Sequence, residues 1–165
     1  MTNELALDRQ VCFALYSASR ATTAVYRPML ERLGVTYPQY LVLLVLWERD
    51  GRGVREICTE LDLDTGTLSP LLKRLEGLGF IERRRLTTDE RRVEIHLTEA
   101  GSALRSEAID IPKQLAGKTG MTVPELEQLR DSLVALTSAL HHTAPHDHTA
   151  PHDHTAPHDT EGSHP

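Results

Sequence analysis

Cysteine has the most reactive side chain in this sequence, and Cys12 lies at a distinctive position. It lies on the apolar stripe of a predicted first helix, and Tyr16 follows one turn later. A cysteine thiolate can attack a peroxide, but a lone buried cysteine is more often a small inert hydrophobe. From its immediate surroundings alone, Cys12 is therefore interpreted more readily as packing than as a redox site.

Cys58 is the only other cysteine. It falls on the inner face of a predicted short helix, where we interpret it as part of the core. Two cysteines do not form a disulfide framework, and the N-terminal residues lack a basic region before an apolar core. The longest apolar run, residues 40–47, is too short to span a bilayer. We therefore expect a cytoplasmic protein whose thiols stay reduced unless something oxidises them.

A second group of functional candidates is basic, although the formal net charge of the chain is −6. Residues 142–165 contain four acidic residues and no lysine or arginine, so the rest of the chain is only weakly acidic. Between Lys73 and Arg92 there are seven basic and four acidic residues. Such a local excess is typical of a small groove-binding element, although by itself it also fits a solvated basic hairpin.

The residues that lead into this region predict a DNA-reading helix with Asp64 as its N-cap. Short hydroxyl side chains suit base edges and phosphates, a glycine allows close backbone approach, and two basic residues neutralise phosphate charge. These predicted contacts are Thr65, Gly66, Thr67, Ser69, Lys73 and Arg74. At the tip of the following hairpin, Arg91 is predicted to enter a narrow minor groove.

Histidine is concentrated at the C-terminus. Eight of the nine histidines lie in residues 141–164, where the unit His-Thr-Ala-Pro-His-Asp occurs three times. Residues 142–165 contain nothing to bury and are predicted to be a disordered tail. The imidazoles could chelate nickel, zinc or copper weakly, but we favour a repeat expansion without a selected role, because nothing fixes a coordination geometry. We expect no dedicated metal site and no cofactor.

The elements that position these residues are predicted to be mainly helical. Apolar spacing predicts a long helix over residues 5–33, followed by a deeply packed helix that a Thr36–Gln39 capping box opens. Two short helices come next, over residues 54–61 and from Asp64 to Gly77 or Gly79. Their order predicts a helix-turn-helix.

The second half of the folded part is predicted to be a β-hairpin followed by two helices. Residues 80–85 and 92–97 have strand character and flank a polar turn over residues 86–91. One helix runs from Thr98 to about residue 120, bent at Pro112, and a last helix begins at the capping box of Thr122 and Glu125.

These elements predict a mainly α fold with a small β-hairpin wing, a winged helix-turn-helix with N- and C-terminal dimerisation helices. The domain is predicted over residues 1–141. Within it, dimerisation helices occupy about 5–33 and 98–141, and a DNA-reading head occupies about 53–97. A homodimer would match the two-fold symmetry of an operator in double-stranded DNA.

Several stretches of this sequence resemble the motifs of a known protein family. DERRVEIHLT followed by EAG, residues 89–101, is similar to the wing signature of the MarR family of bacterial regulators, and residues 63–76, LDTGTLSPLLKRLE, resemble its recognition helix. VCFALYSASR, YRPML and GVTYPQYL, in residues 11–20, 26–30 and 34–41, resemble its organic-hydroperoxide-sensing OhrR branch. The similarity covers about residues 5–141.

The resemblance implies a repressor, not an enzyme, that organic hydroperoxides release from DNA. Cys12 would be the redox sensor, and Tyr26 and Tyr37 would hydrogen-bond its sulfur across the dimer. Asp89 would orient Arg91. A mostly apolar pocket would favour an organic hydroperoxide over hydrogen peroxide, and its candidate lining residues are Phe13, Leu15, Tyr16 and Leu44.

Since Cys58 does not occupy the position of a resolving cysteine, the resemblance implies a one-cysteine sensor that a low-molecular-weight thiol or over-oxidation completes. Three alternatives remain at this point. A phenolic or other small ligand could release the repressor, with Cys12 as mere packing. A thiol peroxidase has little support, because no recycling motif is present. A metal-responsive regulator would have to use the histidine-rich tail.

Overall fold

The computed structural model describes residues 4–86 and 89–143, without the side chains of residue 86 and residues 89–92. The predicted histidine-rich tail lies outside the described residues from residue 144 onwards. The chain divides into two compact units, Met1–Leu126 and Glu127–Pro165. The described part is mainly helical and contains one small antiparallel sheet.

The first helix is shorter than its apolar pattern predicts. A 3-10 turn, Leu7–Arg9, precedes helix α1, Val11–Glu31, so the prediction of a helix from residue 5 is wrong. Ala6 and Gln10 have extended backbone, which interrupts helical hydrogen bonding before residue 11. Apolar spacing indicates only which side chains share a face, and it cannot extend a helix across such a break.

A glycine turn connects α1 to the central helix. Gly34 has a φ of +71°, a left-handed conformation that glycine adopts without strain. Helix α2, Tyr37–Glu48, then begins at the predicted capping box, in which the Thr36 amide donates to Gln39 Oε1 at 2.7 Å. Most of α2 is buried, as its composition predicts, because α2 packs against α1 and against three later helices.

Two short helices follow α2, and they confirm the predicted helix-turn-helix. They are α3, Val54–Leu61, and α4, Thr65–Gly77. Asp64 caps α4, because its carboxylate accepts a hydrogen bond from the Thr67 amide at 2.8 Å. The inner face of α4 consists of the buried side chains of Leu68, Leu72 and Leu75.

The wing contains a strand that the sequence did not predict. Strands β2, Ile81–Leu86, and β3, Asp89–Leu97, pair antiparallel as the predicted hairpin and extend into the predicted turn. A short strand β1, Arg52–Gly53, pairs with the other edge of β3. Two residues carry no strand pattern, and Arg52 and Gly53 pair only because β3 offers an edge.

The helix predicted from Thr98 to residue 120 is two helices. They are α5, Glu99–Ala108, and α6, Ile111–Thr119. Pro112 occupies the first turn of α6, where its missing amide costs no hydrogen bond. The proline therefore starts a new helix and does not merely bend a continuous one.

Helix α7, Val123–Thr143, begins at the second predicted capping box, where the Thr122 amide donates to Glu125 Oε2 at 2.7 Å. From residue 127 it belongs to the second unit. That part of α7 exposes the apolar side chains of Leu129, Leu133, Val134 and Leu140. Within the described ranges, no helix is long and apolar enough to cross a membrane.

Candidate functional site

Cys12 lies in the first turn of α1 and is exposed in the single chain. Three of the predicted pocket residues, Phe13, Tyr16 and Leu44, are also exposed, and Leu15 is half-buried. One chain therefore presents exposed apolar side chains next to Cys12 on α1, among them Phe13 and Tyr16. The enclosed pocket that the sequence predicted is not assembled within the described part of a single chain.

The two predicted sensor tyrosines lie together at the other end of α1. Tyr26 is near the C-terminus of α1, and Tyr37 is the first residue of α2. Because the glycine turn folds α2 back onto α1, their ring centroids are 4.8 Å apart with an interplanar angle of 41°. Tyr40 lies one turn further along α2, with its ring centroid 6.0 Å from that of Tyr26.

Burial controls the protonation of this tyrosine cluster. Desolvation raises the pKa of Tyr26 to about 12, and the neighbouring Tyr37 and Tyr40 add to the effect. Desolvation also raises the pKa of Tyr37 and of Tyr40. The phenols therefore keep their protons well above neutral pH, so that each remains a hydrogen-bond donor.

Cys12 and the tyrosine pair do not meet within one chain. Fourteen residues of continuous helix separate Cys12 from Tyr26, which at a rise of 1.5 Å per residue is about 21 Å. A hydrogen bond from either phenol to the cysteine sulfur therefore requires a second chain.

A spectroscopic titration checks the protonation of the tyrosines. The chain has four tyrosines, so the absorbance of tyrosinate should rise in more than one step, with the last step at about pH 12. Tyr26→Phe should remove that last step, because Tyr26 is the most strongly desolvated of the cluster. A single step near pH 10 in protein that is still folded by circular dichroism would contradict the assignment.

The predicted DNA contacts share the outer face of α4. Thr65, Ser69 and Lys73 follow one another at four-residue intervals and are exposed, and so are the neighbouring Gly66 and Arg74. The opposite face is the buried leucine face, so packing against the core fixes which side of α4 points outwards. The arrangement gives a helix whose exposed side begins small and polar and ends basic.

Two of the predicted hydroxyl contacts already have partners within the helix. Thr67 Oγ1 donates to Asp64 Oδ2 at 2.7 Å, and Ser69 Oγ donates to the Thr65 carbonyl at 2.7 Å. The Thr67 hydroxyl and amide lower the pKa of the Asp64 carboxyl, which therefore stays ionised as a cap. Thr67 thus supports the start of α4, and in this arrangement the hydroxyl oxygens of Thr67 and Ser69 are left as hydrogen-bond acceptors.

The remaining predicted DNA contacts are in the wing. The backbone of β3 begins at Asp89, but the side chains of Asp89 and Arg91 lie outside the described residues. In the described part of β2, Arg83 forms a salt bridge with Glu76 of α4 at 3.2 Å. This ion pair ties one wing strand to the predicted recognition helix.

Cys58 fits its predicted place in the core. It is half-buried and packs against the core, with its sulfur 4.0 Å from Thr65 Oγ1.

Comparison with known proteins identifies the family. The family model of the SarA/Rot transcriptional regulators matches residues 24–108. The organic hydroperoxide resistance transcriptional regulator of Bacillus subtilis is 45% identical over 139 residues, which cover 84% of this chain and 95% of that protein. The chain belongs to the MarR family of winged-helix transcriptional regulators.

Two further members of this group are similar to the chain. The HTH-type transcriptional regulator TtmR of Methylorubrum extorquens is 49% identical over 138 residues, covering 84% of this chain and 71% of that protein. The structure of reduced AbfR bound to DNA aligns with a TM-score of 0.72 at 33% identity, covering 83% of this chain and 94% of the other. AbfR has also been solved in a disulfide-formed state, which aligns with a TM-score of 0.57.

As a MarR-family member, the protein is a DNA-binding transcriptional regulator. Its relatives and structural neighbours are regulators and not enzymes, so the thiol peroxidase alternative is rejected. The predicted winged helix and the resemblance to the organic-hydroperoxide branch are confirmed.

Sequence reasoning missed one residue of this MarR-family fold that holds the wing in place. Asp50, in the turn after α2, accepts a hydrogen bond from the Leu97 amide at 2.8 Å and lies 3.1 Å from His96 Nδ1. It thereby joins the end of α2 to the base of the wing. No local pattern signals this role, because the partners are almost fifty residues away along the chain.

Proposed function

We propose that this regulator is a homodimeric repressor that leaves its operator when an organic hydroperoxide oxidises Cys12. The proposal rests on one observation. Each chain contains both parts of a sensor, a thiol and a pair of phenols, and they lie too far apart in that chain to contact each other. An exposed thiol lies at one end of α1, and a closely spaced, tilted pair of protonated phenols lies at the other.

A dimer supplies the missing contact. The apolar side chains exposed around Cys12 and along α7 are the kind of surface that a second chain covers. In such a dimer, the partner's Tyr26 and the partner's Tyr37 would donate hydrogen bonds to the Cys12 sulfur. Phenolic donors favour the thiolate, because they stabilise its charge.

The reaction at Cys12 follows from thiolate chemistry. The sulfur attacks the terminal oxygen of the hydroperoxide, the O–O bond breaks, and a sulfenic acid forms. The alkoxide takes up a proton and leaves as an alcohol. The sulfenic acid then condenses with a low-molecular-weight thiol to give a mixed disulfide and water, or a second peroxide oxidises it further.

Oxidation would act on DNA binding through the dimer. Either product adds bulk or polarity to a packed interface and removes the thiolate that the phenols bind. The dimer then favours a spacing at which two α4 helices cannot enter successive major grooves. AbfR, a relative, has been solved reduced on DNA, overoxidised on DNA and in a disulfide-formed state, which supports redox control in this group of regulators.

For DNA contact we propose the exposed face of α4. Thr65, Gly66 and Ser69 would face base edges and nearby phosphates, while Lys73 and Arg74 would neutralise the DNA backbone. Arg91, oriented by Asp89, would enter the minor groove. We place the protein in the cytoplasm, where DNA and reducing thiols are both present.

The proposal is tested by operator binding before and after one equivalent of cumene hydroperoxide per Cys12. Wild-type protein should lose operator affinity at least tenfold, and a thiol reductant should restore it. Cys12→Ser should bind the operator like reduced wild type and should not respond, whereas Cys58→Ser should still respond. If Cys12→Ser also loses operator affinity after peroxide treatment, then Cys12 has only a packing role, and release by a non-covalent ligand becomes the better hypothesis.

A further inference from the structure

His96 lies on β3 at the base of the wing, and both of its ring nitrogens face carboxylates. Nδ1 is 3.1 Å from Asp50 Oδ2, and Nε2 is 3.3 Å from Glu94 Oε2. A neutral imidazole has one N–H donor and one lone pair, so it can donate to only one of these two carboxylates, whereas an imidazolium donates from both nitrogens. This pair of contacts is therefore complete only when His96 is protonated.

The turn after α2 holds the imidazole in this position. Gly51 packs against the ring edge between the two nitrogens, because a Cβ at Gly51 would lie 2.8 Å from His96 Cε1. Asp50 is fixed through its other oxygen, Oδ1, which accepts a hydrogen bond from the Leu97 amide at 2.8 Å. The His96 side chain is only 19% exposed, so solvent screens its two contacts less than those of a surface ion pair.

The other charged groups next to β3 do not take the place of these two carboxylates. On β2, Glu82 lies directly opposite His96, and the Arg84 guanidinium binds its carboxylate. Glu99, in the first turn of α5, is exposed. The ion pairs on the remaining elements that pack against β3 are Arg52–Glu60, between β1 and α3, and Arg49–Glu56, between the end of α2 and α3. Within the described ranges, only the two carboxylates named above lie at salt-bridge distance from the imidazole.

The protonated ring connects the wing to the rest of the DNA-reading head. Glu94 belongs to β3 itself, whereas Asp50 belongs to the turn after α2, so His96 joins the wing strand to the end of the central helix. Loss of the proton removes a charge-assisted hydrogen bond and leaves a lone pair facing a carboxylate, whichever nitrogen keeps its hydrogen. Since the wing tip lies at the other end of β3, a shift at this base changes where the tip meets DNA.

We infer that protonated His96 positions the wing for DNA binding by joining Asp50 to Glu94, and that operator affinity falls when the imidazole loses its proton. The inference rests on the proposed contact of the wing with DNA and is independent of the oxidation of Cys12. Imidazole side chains change their charge between about pH 5 and pH 8. The bridge is complete at the acidic end of this range and is lost as the pH rises, so the reduced regulator binds its operator more tightly at the acidic end.

The test measures the operator affinity of reduced protein at about pH 6 and about pH 8, near the two ends of the imidazole range. Fluorescence anisotropy follows binding to a labelled duplex that reduced wild type selects from a random pool. The ionic strength is kept constant, because DNA affinity depends steeply on salt. Wild type should bind about tenfold more tightly at the acidic pH, about threefold for each of the two wings of a dimer. Circular dichroism at both pH values verifies that each variant is folded.

Two substitutions separate the charge of the bridge from its contacts. His96→Gln should bind equally at both pH values, with about the affinity of wild type at the alkaline pH. In Asp50→Asn, Oδ1 can still accept from the Leu97 amide, and Nδ2 can donate to Nδ1 of a neutral imidazole whose Nε2–H donates to Glu94. The neutral ring then satisfies both neighbours. Asp50→Asn should therefore bind at the alkaline pH at least as tightly as wild type and should no longer bind more tightly at the acidic pH.

His142→Gln is the matched control for loss of an imidazole. His142 lies in α7, outside the wing, and its Nδ1 is 2.6 Å from the Ser138 carbonyl oxygen. This variant should keep the tighter binding at the acidic pH. Residues 141–164 contain eight histidines, all of which are present in His96→Gln, so a pH response that comes from them would survive in that variant.

Two results overturn the inference by itself. One is equal operator affinity at both pH values in wild type, and the other is a preference for the acidic pH that survives in His96→Gln. Arg91→Gln tests the wing contact and should weaken binding at both pH values. If it leaves the affinity unchanged, the proposed wing contact fails and this inference fails with it. A pH response that His96→Gln and Asp50→Asn both remove and His142→Gln retains establishes the inference.

Discussion

Replacing both Tyr26 and Tyr37 by phenylalanine should slow the oxidation of Cys12 by cumene hydroperoxide about a hundredfold. In the proposed dimer each phenol donates a hydrogen bond to the cysteine thiolate. A hydrogen bond to a charged group contributes about 1.5 kcal/mol or more, and about 1.4 kcal/mol corresponds to a factor of ten in an equilibrium. Losing two donors should therefore slow the oxidation by about two orders of magnitude. Stopped-flow measurement of the oxidation rate at neutral pH checks this expectation.

The aromatic cluster itself provides a control for this double variant. Phenylalanine keeps the ring contact between residues 26 and 37, so folding and reduced operator binding should change little. Tyr40→Phe removes a hydroxyl from the same cluster, but Tyr40 is almost fully buried and is not one of the predicted donors. It should leave the rate within about twofold of wild type. Equal slowing by Tyr40→Phe would show that the cluster acts through its packing and not through the two donated hydrogen bonds.

Gly101→Ala should destabilise the folded protein by about 3 kcal/mol, the upper end for overpacking a tight site. A Cβ at Gly101 would lie 1.9 Å from the Phe80 carbonyl oxygen. That oxygen cannot easily move away, because it accepts a hydrogen bond from the Thr98 amide at 3.1 Å. Gly101 is held from its other side by Trp47, whose Nε1 donates to the Gly101 carbonyl at 2.9 Å. The substitution therefore forces apart the wing and α5.

Urea unfolding at one fixed protein concentration measures this loss, since the stability of a dimer depends on concentration. Gly117→Ala is the matched control, because it is also a glycine within a helix and a Cβ there has no atom within 4 Å. Alanine should stabilise α6 at that position by about 0.5–1 kcal/mol. If Gly101→Ala instead raised the free energy of unfolding slightly, as expected for Gly117→Ala, then the contact between α5 and the residue before β2 could widen without a loss of stability.

Local features account for the parts of the fold that could be predicted. The caps at Thr36, Asp64 and Thr122 are hydrogen bonds between residues three positions apart, so a short stretch of sequence contains both partners. The same holds for the leucine face of α4, which helix geometry alone defines. The resemblance to the hydroperoxide-sensing regulators also rests on short motifs, and these include Cys12, Tyr26 and Tyr37.

The failures arose where the deciding contact is distant or where backbone conformation overrides a pattern. Strand β1 forms only because β3 lies beside it, and Asp50 acquires its role only when the wing folds against the end of α2. At the start of α1, apolar spacing continued across extended backbone that carries no helix. At Pro112 a bend was expected, but a proline fits best in the first turn of a new helix.

The sequence was sufficient to identify a winged-helix regulator and to predict a sensor cysteine, because short-range patterns encode its helices, caps and motifs. It could not say that the ring centroids of Tyr26 and Tyr37 lie 4.8 Å apart, or that burial raises the pKa values of both phenols. Only the tertiary structure decided these points, since ring separation and desolvation depend on what packs around each side chain.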